Sequence, residues 1–207
     1  MSRPGGIAPA DRRMRLLVGI SGSTGSIYGI RLLQVLGRIP SVETHLIISL
    51  PAKRTIVEET EFSVQEVERL AARVYDNRDI GAAPASGSFR TAGMVIMPCS
   101  IRTASALATC TGDTLLCRAG DVTLKEGRPL IVGVREAPLH AGHLRLLTAL
   151  AESGAVVFPP VPAFYHRPQT LDDIVNHTVG RVLDRLNIQH DLAPEWGGTQ
   201  APWSRPS

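Results

Sequence analysis

The chain has 207 residues, 43% of them hydrophobic, which is enough for one sizeable α/β core. Its formal charge of +3 arises from 22 basic and 19 acidic residues, and no Lys/Arg block with interleaved aromatics is present, so the composition argues against nucleic acid as a partner. No apolar run approaches the roughly 18 residues of a bilayer span, and the three cysteines, Cys99, Cys110 and Cys117, fit no metal-ligand spacing and point to free thiols in a reducing cytoplasm.

The opening "MSRPGGIAPADRRMR" is polar and rich in Pro and Gly, without an apolar signal core, and residues 1–14 are expected to form a disordered arm. "RLLVGI" (15–20) reads as a strand and "IYGIRLLQVLG" (27–37) as a helix. "ETHLIIS" (43–49) is a second strand, and a helix over 63–74 opens with a capping box at Ser63 and Glu66. "GMVIMP" (93–98) is the third strand, followed by helices over 100–109 and 113–127. Strands over 129–134 and 155–160 bracket a helix over 139–154, and a long amphipathic helix over 170–187 starts with Thr170 and Asp173 placed to cap it. Continuous apolar strands alternating with helices predict a doubly wound α/β fold with a mostly parallel sheet, as one domain over 15–188. The tail, 189–207, is rich in Pro and Gly yet carries Trp196 and Trp203.

In such folds ligands bind at the carboxyl ends of the strands. The loop Ser21-Gly22-Ser23-Thr24-Gly25-Ser26 lies there and runs into a helix whose first N–H groups favour an anion. It lacks the Gly-Lys-Ser/Thr of a Walker loop. It also lacks dinucleotide spacing, and the second strand ends in Ser49 where such a site would place a ribose-binding acid. Taken alone, the loop serves equally as a tight turn. Two more loops, "PASGSFR" (84–90) and "PCSIRT" (98–103), offer small residues and hydroxyls, and three of a kind favour a mononucleotide site.

Charged residues gather around these loops. Arg118, Asp121 and Lys125 share one helix face, at i, i+3 and i+7. Arg135 and Glu136 follow the fourth strand, Glu58 and Glu59 follow the second, and "FYHRP" (164–168) follows the fifth. Arg181 lies on the last helix. His140 and His143 have a spacing that could suit a metal, but no third ligand accompanies them, and Cys99 is better read as a small buried residue than as a nucleophile.

The blocks "SGSTGSIYGIRLL", "SGSFRTAGMVIMPCS", "RAGDVTLKEGRPL", "VREAPL" and "PAFYHRP" resemble, in order, those of the UbiX-type flavin prenyltransferases, over about residues 15–196. The resemblance implies a flavodoxin-like or Rossmann-like flavoprotein, assembled as a homododecamer with sites between subunits. It implies that reduced FMN is prenylated at N5 and C6 by dimethylallyl phosphate without a metal, and that the product serves a UbiD-type decarboxylase. By the same resemblance, Gly22, Ser23, Thr24, Ser49, Ser100, Ile101, Arg102, Thr103 and Arg135 contact FMN. Arg118, Lys125, Tyr165, Arg181 and Trp196 serve dimethylallyl phosphate, and Glu59, Glu136 and Thr24 are catalytic. Departures from the family pattern are Thr24 for a serine, Gly127 for an arginine, Gly133-Val134 where a proline is usual, and Asp113-Thr114. Two rival readings are a non-catalytic carrier of FMN or its prenylated form, and a peptidyl-cysteine decarboxylase. The latter group carries a histidine in its first helix and an Asn-rich motif after the third strand, and this chain has neither.

Overall fold

The computed structural model describes residues 13–192. Six parallel strands form one sheet: β1 Met14–Ile20, β2 Val42–Ile48, β3 Arg73–Asp76, β4 Gly93–Cys99, β5 Leu130–Val134 and β6 Val156–Val157. Their order is β3-β2-β1-β4-β5-β6, with every adjacent pair parallel. Seven helices connect or follow them: α1 Ser26–Leu36, α2 Leu50–Glu59, α3 Val64–Arg69, α4 Ile101–Ala108, α5 Leu115–Lys125, α6 Ala141–Glu152 and α7 Leu171–Arg185. Among the described residues no helix is long and apolar enough to cross a membrane.

The apolar runs are continuous because both sheet faces are covered. In β1, Leu16, Val18 and Ile20 enter one core with α1, α2, α3 and α7, while Leu17 enters the other with α4, α5 and α6. The same alternation in β4 sends Val95 and Met97 to the first core, and Met94 and Ile96 to the second. Gly29 lets α1 lie directly on β4, since a Cβ there would overlap the Met97 carbonyl and crowd Ile20.

Two expectations about elements need correction, and one element was not foreseen. The helix expected over 63–74 stops at Arg69, and Arg73–Asp76 is the edge strand β3. Its "RVYD" is mostly exposed and carries no apolar run, so only pairing with β2 reveals it. Helix α2 escapes a periodicity search because it buries only Ala52 and Ile56. The strand expected over 155–160 pairs only at Val156 and Val157. The Ser63–Glu66 box is present: Ser63 Oγ accepts the Glu66 N–H at 3.3 Å, and Glu66 Oε2 accepts the Ser63 N–H at 2.8 Å. The expected arm falls on 1–14 and the tail on 189–207; Met14 belongs instead to β1, where it pairs with Val42, and residues 1–12 and 193–207, Trp196 and Trp203 with them, lie outside the described residues.

Candidate active site

β1 and β4 are neighbours whose connections leave to opposite faces, so a crevice opens beyond their carboxyl ends. Buried Ser21 ties its two sides together. Its Oγ donates to the Pro98 carbonyl at 3.2 Å and accepts the Ser100 N–H at 2.7 Å. The Ser49 N–H donates to the Ile20 carbonyl at 2.9 Å, which draws the loop after β2 to the same place.

Two of the three helices starting here are capped by hydroxyls. Ser49 Oγ accepts the Ala52 N–H at 3.2 Å, and Ser100 Oγ accepts the Thr103 N–H at 3.2 Å. Helix α1 has no side-chain cap of its own, because Gly25 stands at its N-cap with φ +96°, a left-handed conformation that suits glycine. Glu59, at the end of α2, supplies the missing acceptor: its Oε2 takes the N–H of Gly25 at 2.8 Å and of Ser26 at 3.2 Å. The helix start therefore does receive an anion, a carboxylate of the chain itself. Gly22 leaves room for Pro51, where a Cβ would overlap. The Ser23 hydroxyl oxygen is buried with no hydrogen-bond partner among the described residues, and Thr24 is half-buried beside it.

At the end of β5 the Arg135 N–H donates to the Cys99 carbonyl at 3.0 Å, and the Arg135 side chain is exposed. Glu136 is half-buried and its Oε1 accepts the Ala137 N–H at 3.1 Å. Ile101 is half-buried and Arg102 exposed on the first turn of α4. Cys99 is fully buried, and burial pushes its thiol far up, so it is a neutral core side chain.

The cations of the expected phosphate site each hold a local acid. Arg118 meets Asp121 at 2.8 Å, Lys125 meets Glu126 at 2.5 Å, and Arg181 meets Asp184 at 2.6 Å. Helix α7 lies on α1 with Asp172 and Asn176 against Arg31 and Thr178 against Tyr28. It thus runs antiparallel to α1 and carries Arg181 toward the 21–25 end. Tyr165, in the β6–α7 connection, shares a 2.8 Å hydrogen bond with Nε2 of His177. His177 lies one turn before Arg181 on the same face of α7, and that i, i+4 spacing is its only signal in the sequence.

Lys125 and the 84–90 loop lie elsewhere. Segment 84–90 leads into β4 and α5 leads into β5, so both sit at the amino edge of the sheet. Arg128 fastens them, donating to the carbonyls of Gly87 at 2.7 Å and Phe89 at 2.9 Å. The grouping of 84–90 with the two other loops is therefore corrected: a loop before a parallel strand faces away from loops after one. Arg118 is nearer the carboxyl edge, because α5 starts where the Leu115 N–H meets the Asn77 carbonyl just beyond β3.

Among the described residues no group of three His, Cys, Asp or Glu side chains could hold a metal. His140 caps α6 instead, its Nδ1 accepting the Gly142 N–H at 3.0 Å. A cavity of about 400 Å³ lies at the carboxyl ends of β2 and β3, lined by Ile48 and Leu50 on either side of Ser49 and by Lys53, Tyr75 and Arg78 among others.

The family model described as Flavoprotein matches residues 8–183. Flavin prenyltransferase UbiX of Salmonella typhimurium is 59% identical over 186 residues, covering 89% of this chain and 98% of that protein. The crystal structure of AnUbiX in complex with FMN and dimethylallyl pyrophosphate has a TM-score of 0.89 at 41% identity, covering 91% of this chain and all (100%) of that one. The dodecameric FMN-dependent UbiX-like decarboxylase of Escherichia coli O157:H7 has a TM-score of 0.88 at 46% identity, covering 89% of this chain and 100% of that one.

Proposed function

The chain belongs to the UbiX family of flavin prenyltransferases, and from that premise we propose that it joins a dimethylallyl group to N5 and C6 of reduced FMN. One observation carries the reading: the loops after β1, β2 and β4 converge on a crevice with small residues and hydroxyls, including the Ser23 oxygen, which has no partner among the described residues. That lining fits the polar edge and chain of a flavin mononucleotide. Gly22, Ser23, Thr24, Ser49, Ser100, Ile101, Arg102, Thr103 and Arg135 are the residues that would hold it. FMN supplies the nucleophilic N5 and C6, and dimethylallyl phosphate supplies the allyl carbon.

The chain's own work is to bind phosphate, handle protons and exclude water. Tyr165, Arg181, Arg118 and Lys125 are the groups for the phosphate end, and Trp196 for the prenyl end. Exchanging a local carboxylate for a substrate phosphate costs each cation little, because both pairs are charge-assisted. Glu136 donates the proton that the leaving phosphate requires. Glu59 is the second proton-handling carboxylate, oriented by two backbone donors beside Thr24. Electrostatic stabilisation of the departing phosphate is the largest help such a site can give.

Lys125 lies at the opposite sheet edge from Glu59 in one chain, which supports a site completed by a second copy within a homo-oligomer, a dodecamer as in the E. coli relative. The product is passed to a UbiD-type decarboxylase. The free thiols of Cys99, Cys110 and Cys117 support a reducing, cytoplasmic setting.

The test is anaerobic incubation with reduced FMN and either dimethylallyl monophosphate or diphosphate, followed by mass and absorbance of the flavin. A flavin heavier by one dimethylallyl group is expected with one of the donors. Unaltered FMN with both, in protein that has bound the flavin, would overturn the reading.

A further inference from the structure

His177 stands on the turn of α7 before Arg181, facing the β6–α7 connection. Its Nε2 is 2.8 Å from the Tyr165 hydroxyl. The His166 ring stacks on it at 4.4 Å between centroids and 13° between planes. Tyr165 meets both imidazoles edge to face, at 5.4 Å from His166 and 5.6 Å from His177. Both His166 ring nitrogens are buried without a hydrogen-bond partner among the described residues. The proposed function employs Tyr165 and leaves this histidine pair without a task.

We propose that His177 is a positioning residue for Tyr165, and that its protonation sets whether the phenol is turned as a donor toward the substrate phosphate. The inference rests on the reading that Tyr165 meets that phosphate. A phenol has one proton to donate. When Nε2 is bare it accepts that proton, and the oxygen lone pairs of Tyr165 are left to face an anion. When Nε2 carries a proton it donates to the phenol oxygen, and the Tyr165 O–H is released toward phosphate. The imidazolium, protonated on both nitrogens, can only donate, and it adds a positive charge one turn from Arg181.

Tyr165 and His166 reach His177 from the connection, and Arg181 and Asp184 from α7 itself. On the flanking side, α1 presents Arg31 to Asp172 and Asn176, and Tyr28 to Thr178. Burial first, then His166 and Arg181, hold the His177 pKa below its ordinary 6.5, with Asp184 opposing them. The resting ring is therefore neutral at pH 7. An anion on Tyr165 favours the imidazolium, so binding draws a proton onto His177. Affinity for the phosphate then gains as pH falls through and below that ordinary value, and the gain is lost as pH rises.

The experiment measures binding of dimethylallyl phosphate to the protein loaded with oxidised FMN, by calorimetry at about pH 5.5 and about pH 8, for wild type, His177→Gln and His177→Phe. The ligand's own ionisation is common to all three, so ratios between proteins report His177. Phe neither accepts from nor donates to the hydroxyl, so it is expected to weaken binding at least about fivefold at about pH 5.5, a coupling of ordinary size, and to bind about as tightly as wild type at about pH 8, where the bare Nε2 turns the phenol away from the phosphate. Gln, whose amide can donate at either pH, is expected to bind at least as tightly as wild type at the higher pH. It should not follow the wild-type gain at the lower one, so the wild-type to Gln ratio rises about fivefold. In turnover the loss should fall on KM and not on kcat. FMN affinity is expected to be unchanged in both variants, which also reports that they fold. In wild type that binds the ligand, a wild-type to Gln ratio flat in pH, or a Phe variant as tight as wild type at about pH 5.5, would overturn the inference alone. Wild type that binds FMN and ignores dimethylallyl phosphate would overturn the functional reading and this inference with it.

Discussion

Glu59 closes the amino end of α1 at Gly25: its Oε2 accepts the Gly25 N–H at 2.8 Å across 34 residues of sequence. The contact joins the end of α2 to the turn after β1, so one carboxylate both completes a helix and lies at the crevice. Glu59→Ala removes the acceptor, and loss of a helix cap of this kind costs about 1 kcal/mol. Glu59→Gln keeps an oxygen for the N–H groups and should recover most of that stability while remaining slow in prenylation. Urea denaturation beside turnover checks both, and an Ala variant as stable as wild type would remove the capping role.

Glu136 is expected to act as an acid rather than as a brace for Arg135. Glu136→Gln preserves shape and can still accept the Ala137 N–H that the carboxylate takes at 3.1 Å. FMN should bind nearly as in wild type, with the single-turnover rate down by roughly 10²–10⁴-fold. A large loss of FMN affinity with an unchanged rate on the bound complex would assign Glu136 a structural part instead.

Gly29 is the place where α1 touches β4. A Cβ would overlap the Met97 carbonyl, which belongs to sheet backbone, and press on Ile20. Neither neighbour can yield as a surface chain would. Gly29→Ala should therefore destabilise by about 1–3 kcal/mol despite alanine's better helix propensity. Chemical denaturation measures it, and a stabilised variant would show that α1 slides freely over the sheet.

His45 makes stability depend on pH. It is buried, sharing hydrogen bonds with the Tyr75 hydroxyl at 2.9 Å and Glu43 at 3.1 Å. Burial lowers its pKa below the ordinary 6.5, outweighing Glu43, while Arg15 and Arg73 push in the same direction as burial. The unfolded chain then takes up the proton more readily than the folded one, so stability is lost as pH falls below that ordinary value. His45→Gln is expected to flatten the stability profile between about pH 7 and about pH 5. An equally steep decline in the variant would move the origin to another group. The carboxylates of Glu66, Asp76, Asp173 and Glu126, held low by hydrogen bonds and in part by cations, add their own loss only in more acid solution.

The strands β1, β2, β4 and β5 and the helices α1, α5, α6 and α7 were legible because a buried segment must be apolar at each position or at a fixed period. The same constraint made the first loop stand out: an apolar run that ends in Gly and Ser has left the core at a place where backbone is exposed. The family blocks were legible as strings, and with them the flavin chemistry. Strand β3 was not legible, since an exposed edge strand has no apolar signature and exists by pairing with β2. That 84–90 and Lys125 belong to the amino edge was implicit in the chain order, since each segment leads into a strand of a parallel sheet. Glu59 on Gly25, and His177 on Tyr165, are meetings of short polar groups 34 and 12 residues apart. A hydrogen bond leaves no periodicity in sequence. Its partners are chosen only when packed helices bring two ends within about 3 Å.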